Sequence, residues 1–311
     1  MKNLNKPASG EKPIGRKTMM RTGVALTLAG VVMASAVQAQ AAQSRPAGAA
    51  RPAAAAYRAP RGPDRIHPDL NGVWSVLNTA NWNIEPHPAT AALQMRPGPV
   101  IPVPAKAVVA LGAVGSVPAG IGVVEGGAIP YKPEALKVRN ENRADYLKRD
   151  PEVKCYMAGV PRANYMDKPF QILQSDNSML ITYEYAGMVR NILFKDPGPA
   201  PADSWMGQSV GKWEGDTLVV TVTAQNDTTW FDRAGNHHTA DMVVVERWTP
   251  TSPTTLRYEA TITDPNTFTR PWKMSMNLYK RVGEDARIQQ FKCIEFVEEL
   301  IYGDLRKQPL K

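Results

Sequence analysis

Residues 226–248, NDTTWFDRAGNHHTADMVVVERW, carry Asp227, Asp232, Asp241, Glu246, Arg233, Arg247, Trp230, Trp248, His237 and His238. This density of reactive side chains points first to proton transfer. One histidine with a pKa near neutrality, oriented by a carboxylate, can move a proton. His238 with Asp227 or Asp232 is the pair the spacing favours, and Arg190 is available to hold an anionic or enolate oxygen. The competing structural reading is a hairpin loop whose Asp and His side chains cap backbone groups. Metal binding is a weaker option. Adjacent His237 and His238 face opposite ways on a strand, and could share an ion with Asp227, Asp232 or Asp241 only in a loop beginning at Gly235. The spacing matches no zinc pattern, so neither a metal nor any other cofactor is expected. Ser209 in GQSVG superficially resembles a nucleophile elbow, but VGKWEGDTLVV reads as strand, turn, strand rather than strand to helix.

The elements that must position these groups are mostly strands. From Pro169 onward the runs PFQILQ, SMLITYEY, MVRNILF, TLVVTVTA, MVVVERW, TLRYEATI, PWKMSMNLYK and RIQQFKCIEF are β-branched or aromatic and are separated by turn residues. Such a succession without intervening helices predicts an all-β antiparallel barrel or sandwich. DLNGVWSVLN supplies an earlier strand, KPEALKVRNENRADYLK (132–148) an N-terminal helix with Pro133 and Glu134 in its first turn, and Pro-rich stretches the long loops. The uncharged run from Ala107 to Val124 is broken by Gly112, Gly115, Pro118, Gly120 and Gly122, and reads as a mobile apolar loop rather than a membrane span.

One hairpin can be read in register. A two-residue turn at Ala186-Gly187 sets Tyr185 opposite Met188, Tyr183 opposite Arg190, Ile181 opposite Ile192 and Met179 opposite Phe194. Arg190 then points inward and requires a carboxylate, because an unpaired buried charge is very costly. In VVVERW, alternation encloses either Glu246 or Arg247, whichever face is inside. An internal ion pair that merely closes the barrel is the simpler account of these charges. Cys155 and Cys293, the only cysteines, either form a bridge, worth about 4 to 5 kcal/mol in the chain-entropy model, or stand as two separate buried thiols.

The chain's basic excess lies at one end. Its 37 Lys+Arg and 29 Asp+Glu include six bases and one acid in residues 1–39, and five bases and one acid in 40–65. The remaining 26 bases and 27 acids lack the surplus that phosphate neutralisation needs, so no nucleic-acid partner is expected. Residues 1–39, with basic residues ahead of an apolar run and small residues near Ala36 and Ala39, read as a signal peptide. They predict export to the periplasm or beyond, with no stable membrane insertion after cleavage. Residues 40–65 read as a disordered Ala/Pro/Arg tail and 66–311 as a single β-barrel domain.

Gly72-Val73-Trp74 resembles the Gly-x-Trp signature of lipocalins and related calycin-type barrels, and that resemblance implies a Trp plugging the closed end. The chain also resembles an uncharacterised family of exported bacterial proteins. YKPEALKVRNENRADYLKRDPEVKC, GVPR, WMGQSVGKWEGDTLVV, NDTTWFD, VVVERW and DPNTFTRPW carry the likeness, which implies no activity. Gln208 stands where such proteins usually show a histidine, and KDPGPAPADS replaces a Gly-Arg-x-His-type segment. His238 does match the family's histidine.

These observations favour a lipocalin-like barrel that binds a small apolar or aromatic molecule, with Arg190, Tyr183, Trp205, Trp230 and Glu246 as ligand-binding residues. The alternative is a cofactor-free lyase, isomerase or hydrolase with His238 as base and Asp227 as its orienter. A structural cell-envelope protein is the third reading. Binding predicts His238 remote from the ligand, whereas catalysis requires it within hydrogen-bond reach.

Overall fold

The computed structural model describes residues 57–90, 92–96, 103–108 and 117–295. The signal-like segment 1–39, most of the tail and the middle of the apolar run lie outside the described residues. Residues 57–65, read from sequence as tail, belong to the packed domain instead. Ala59 is buried, the Asp69 N–H donates to the Pro60 carbonyl, and Arg61 pairs with Asp216 at 2.5 Å.

The core is a closed nine-stranded barrel. Around it run β1 (Gly72–Val76), β11 (Trp272–Lys280), β10 (Thr255–Thr263), β9 (Val243–Ser252), β8 (Thr217–Thr223), β7 (Gln208–Glu214), β6 (Val189–Leu193), β5 (Ser178–Tyr183) and β4 (Phe170–Gln174), which pairs again with β1. A separate two-stranded sheet joins β2 (Ala92–Arg96) to β3 (Val103–Val108). β9 and β10 alternate buried and half-exposed residues, the period that a strand with one face on a core requires. Their inward residues, among them Val244, Trp248, Tyr258 and Ile262, are almost wholly buried.

One seam departs from the antiparallel expectation. β6 and β7 run parallel and pair only at Ile192–Ser209 and Leu193–Val210. The connection, residues 194–207, has the length of about a dozen residues that a parallel return needs. At the other edge of β7, Gly215 with φ +61° makes the tight turn into β8.

The expected strand RIQQFKCIEF does not form; residues 286–294 run irregularly across the β5–β6 hairpin. A closed barrel offers no free edge for a further strand to join. This strap is held by the Cys155–Cys293 disulfide, by Gln289 N–H donating to Glu184 Oε2, and by Phe291 against Tyr185. The expected helix is present as α1 (Pro133–Ala144) and a short α2 (Tyr146–Arg149), broken at Asp145.

Gly72-Val73-Trp74 opens β1. Trp74 is buried, its indole N–H donates to the Leu70 carbonyl at 3.0 Å, and the Lys280 ammonium lies over its ring. Gly72 takes φ +139°, a conformation that an L side chain rarely adopts, which accounts for the glycine.

Candidate functional site

The loop between β8 and β9 carries the opening stretch, and its acidic and histidine side chains serve the loop itself. Asp232 is fully buried and accepts from the backbone N–H groups of Ile84 (2.9 Å), Ala234 (2.9 Å) and Asn236 (3.3 Å) and from Asn236 Nδ2 (2.7 Å). Burial pushes its carboxyl up to about 6, against the lowering effect of these donors. The turn closes at Gly235, φ +84°, where a Cβ would strike the backbone of α1.

His238 is equally committed. Its Nδ1 lies 2.8 Å from the Thr239 carbonyl, which can only accept, so Nδ1 carries the proton. Nε2 is then the acceptor for the Thr229 hydroxyl at 2.7 Å, and Gln225 Nε2 donates in turn to Thr229 Oγ1. Burial lowers its pKa to about 4. Neither Asp227 nor Asp232 hydrogen-bonds to the ring. The expected His238–Asp227 or His238–Asp232 dyad is not assembled, because both ring nitrogens and the Asp232 oxygens are already used by the loop. His237 turns away to stack on Tyr131 at 5.8 Å, and Asp241 accepts from Asn266 at 2.5 Å, so the two histidines share no site. Among the described residues no group of three or more His, Cys, Asp or Glu side chains is placed to hold a metal ion.

The barrel interior holds the charge pair. Arg190 Nη1 donates to Glu246 Oε1 at 3.2 Å and Nη2 to Oε2, while Nε donates to Ser209 Oγ at 2.9 Å. Glu246 Oε1 also accepts from Asn164 Nδ2 and Tyr258 Oη, both at 2.9 Å, and Tyr183 Oη donates to Asn164 Oδ1 at 2.9 Å. Burial would favour a neutral guanidine; the opposing Glu246 carboxylate outweighs it and holds Arg190 charged. Burial also pushes the Tyr183 phenol up to about 12.

The hairpin that delivers Arg190 has a longer turn than the sequence suggested. Ile181, rather than Tyr183, faces Arg190, and Met179 faces Ile192. The register slips by two residues, an even number, so every side chain keeps its face. Ser209 sits mid-sheet on β7, buried and bonded to Arg190, not on a strand-to-helix elbow.

A second buried charge cluster escaped the sequence reading. Arg162, one per cent exposed, donates to Asp150 Oδ1 (2.8 Å) and Oδ2 (3.1 Å), to Glu152 Oε2 (2.6 Å) and, through Nε, to Asn81 Oδ1 (2.9 Å). Arg233 grips the same Glu152 through two nitrogens. Burial opposes ionisation of Glu152, but the Arg233 and Arg162 guanidiniums hold its carboxyl down at about 2. The only signal available was the family-like segment GVPR, whose arginine has no local periodicity to mark it as buried.

Where β6 and β7 separate, a cleft of about 560 Å³ opens between them and the 200–207 loop. Its walls include Met157, Val189, Leu193, Pro201, Trp205 and Met206, with Arg190, Asn191, Gln208 and Ser209 along the strands. Gln208 Nε2 ties the loop down by donating to the Gly198 carbonyl at 2.7 Å. Of the expected ligand residues, Arg190 and Trp205 line this cleft, while Tyr183 and Glu246 lie in the network with Arg190. Trp230 lines a different cleft and His238 neither. Compared with known protein families, characterised proteins and solved structures, the chain matches none.

Proposed function

We propose that this protein is an exported small-molecule-binding barrel that takes a neutral, largely apolar or aromatic ligand in the β6–β7 cleft. The observation that carries this reading is the cleft's composition. Its walls are mostly thioether, aliphatic and indole groups with the neutral Asn191, Ser204, Gln208 and Ser209 among them, and Arg190, the one charged residue lining it, is neutralised by Glu246. Such a surface rewards apolar contact and offers an incoming anion no free cation. Met157 and Val189 are 37% and 53% exposed beside Trp205, an apolar patch for a ligand to cover.

The barrel is read as lipocalin-like through its closing Trp74, although the ligand is assigned to the wall rather than the lumen. Export rests on the signal-like residues 1–39 and accords with the Cys155–Cys293 bridge, which an oxidising compartment would maintain. No helix among the described residues is long and apolar enough to cross a membrane. The acid–base alternative is the weaker account, because His238 is sealed in its loop and lowered to about 4.

The test is a fluorescence titration with N-phenyl-1-naphthylamine, a neutral apolar probe. Wild type binds it; Trp205→Ala weakens binding about tenfold, the loss of one aromatic anchor, and Trp230→Ala leaves it unchanged. Probe binding indifferent to Trp205→Ala would remove the cleft from the account.

A further inference from the structure

The barrel leaves no whole strand edge open, but between β6 and β7 it closes through Ile192–Ser209 and Leu193–Val210 alone. Ahead of that seam a notch of β6 edge borders the cleft, which Val189 and Asn191 line. The Tyr183 N–H donates to the Met188 carbonyl at 2.9 Å, and along the same ladder Ile181 faces Arg190 and Met179 faces Ile192. Bonded pairs alternate in an antiparallel ladder. Residues 188, 190 and 192 therefore turn their N–H and C=O groups to β5, and residues 189, 191 and 193 turn theirs away from it.

β7 meets only the later of these. The chain that could have met Val189 follows β8 instead. Ser204 N–H donates to the Ala224 carbonyl and Asn226 N–H to the Ser204 carbonyl, and Gly207, φ +63°, lies so close to the Thr223 carbonyl that a Cβ would strike it. Among the described residues no backbone or side-chain group bonds to the Val189 N–H, the Val189 C=O or the Asn191 N–H. Both residues are exposed, Val189 to 53%.

We infer that this notch binds a short, extended, uncharged peptide segment with apolar side chains, which adds to the edge of β6 as a strand. The inference rests on the β6–β7 cleft being the ligand site and names the class of its ligand. In either strand direction, the unpaired groups of Val189 and Asn191 are matched by the N–H and C=O of one peptide residue and the C=O two residues before it. Met157, Leu193, Trp205 and Met206 wall the space for its side chains. Arg190, the one charged residue lining the cleft, is already paired with Glu246, so the segment recognised is an internal or blocked one without charged ends.

N-acetyl-leucyl-phenylalanine amide carries this set of groups once, and NMR titration of the isotope-labelled protein tests it. The peptide moves the Val189 and Asn191 amide protons downfield and slows their exchange. Its ester analogue, with oxygen in place of the phenylalanine N–H, binds about three- to tenfold more weakly, the worth of one hydrogen bond. Val189→Pro removes one donor and weakens the peptide to a similar extent. The Val189 N–H lies outside the β5 ladder, and Met188 already has the extended ψ of 146° that a following proline needs, so the variant keeps the hairpin. The inference is overturned, with the cleft reading intact, if N-phenyl-1-naphthylamine binds and the peptide does not, or if amide and ester bind alike with the Val189 and Asn191 amides unmoved. Failure of both probes to bind overturns the two readings together.

Discussion

Replacing Glu246 with Gln isolates the charge at the centre of the barrel. Oε1 of Glu246 accepts from three donors, on Arg190, Asn164 and Tyr258, whereas Oε2 accepts from Arg190 alone. An amide will therefore keep its oxygen at the first position and turn its NH2 toward Arg190 Nη2, donor against donor. Arg190, two per cent exposed, is left with no carboxylate. Breaking a buried pair by altering one partner costs about 3 to 5 kcal/mol, most of it the uncompensated charge. Arg190→Met strands Glu246 and costs a similar amount. The double variant removes both charges together and costs about 1 to 3 kcal/mol, so the two singles couple strongly. Urea unfolding at pH 7 with the disulfide intact, followed by tryptophan fluorescence and far-UV circular dichroism, measures all three. The reasoning fails if Glu246→Gln costs less than about 1 kcal/mol, or if the single costs add without coupling.

Other consequences follow from the same geometry. His238, lowered to about 4, contributes stability present above its unfolded value near 6.5 and lost as pH falls toward 4. Asp232, raised to about 6, contributes stability present below about 3.8 and lost as pH rises through 6. These two terms are each about 3 kcal/mol and oppose one another between pH 6.5 and 4. His238→Gln should therefore gain stability on acidification through 6, and Asp232→Asn should lose it, in urea titrations at stepped pH. The reverse slopes would refute both assignments. The same His238→Gln variant should bind N-phenyl-1-naphthylamine as wild type does; a large loss would restore the histidine to the ligand site. Cys293→Ser should lower stability by about 4 to 5 kcal/mol at most and raise hydrogen exchange in residues 286–295. Unchanged exchange there would show that Phe291 and Gln289 hold the strap unaided.

Much of this architecture is written in local pattern. The β-branched runs from PFQILQ to PWKMSMNLYK, the Gly215-Asp216 turn and the Pro133 start of α1 each follow from residues within a few positions of one another and are found where the pattern places them; RIQQFKCIEF, with no barrel edge left to join, is the exception. Inward placement of Arg190 was also legible, because strand faces have a period of two and the actual two-residue slip preserves them. Alternation enclosed one charge of the Glu246–Arg247 pair, of which Glu246 alone can serve as the carboxylate partner. The sequence thus determined most of the strands, their faces and the need for an internal carboxylate.

Tertiary structure decided what those residues do. Whether Glu246 or Arg247 is inside depends on how β9 sits between β8 and β10, a pairing between distant segments. The parallel β6–β7 seam, and with it the cleft, depends on the path of residues 194–207, which no periodicity encodes. His238 and Asp232 read as a catalytic pair by spacing alone. In the folded chain the Thr229 hydroxyl, the Thr239 carbonyl and the Ile84 and Asn236 amides reach them first. Hydrogen-bond partners are a property of packing in three dimensions, and buried polar groups are satisfied by whichever neighbours the fold supplies.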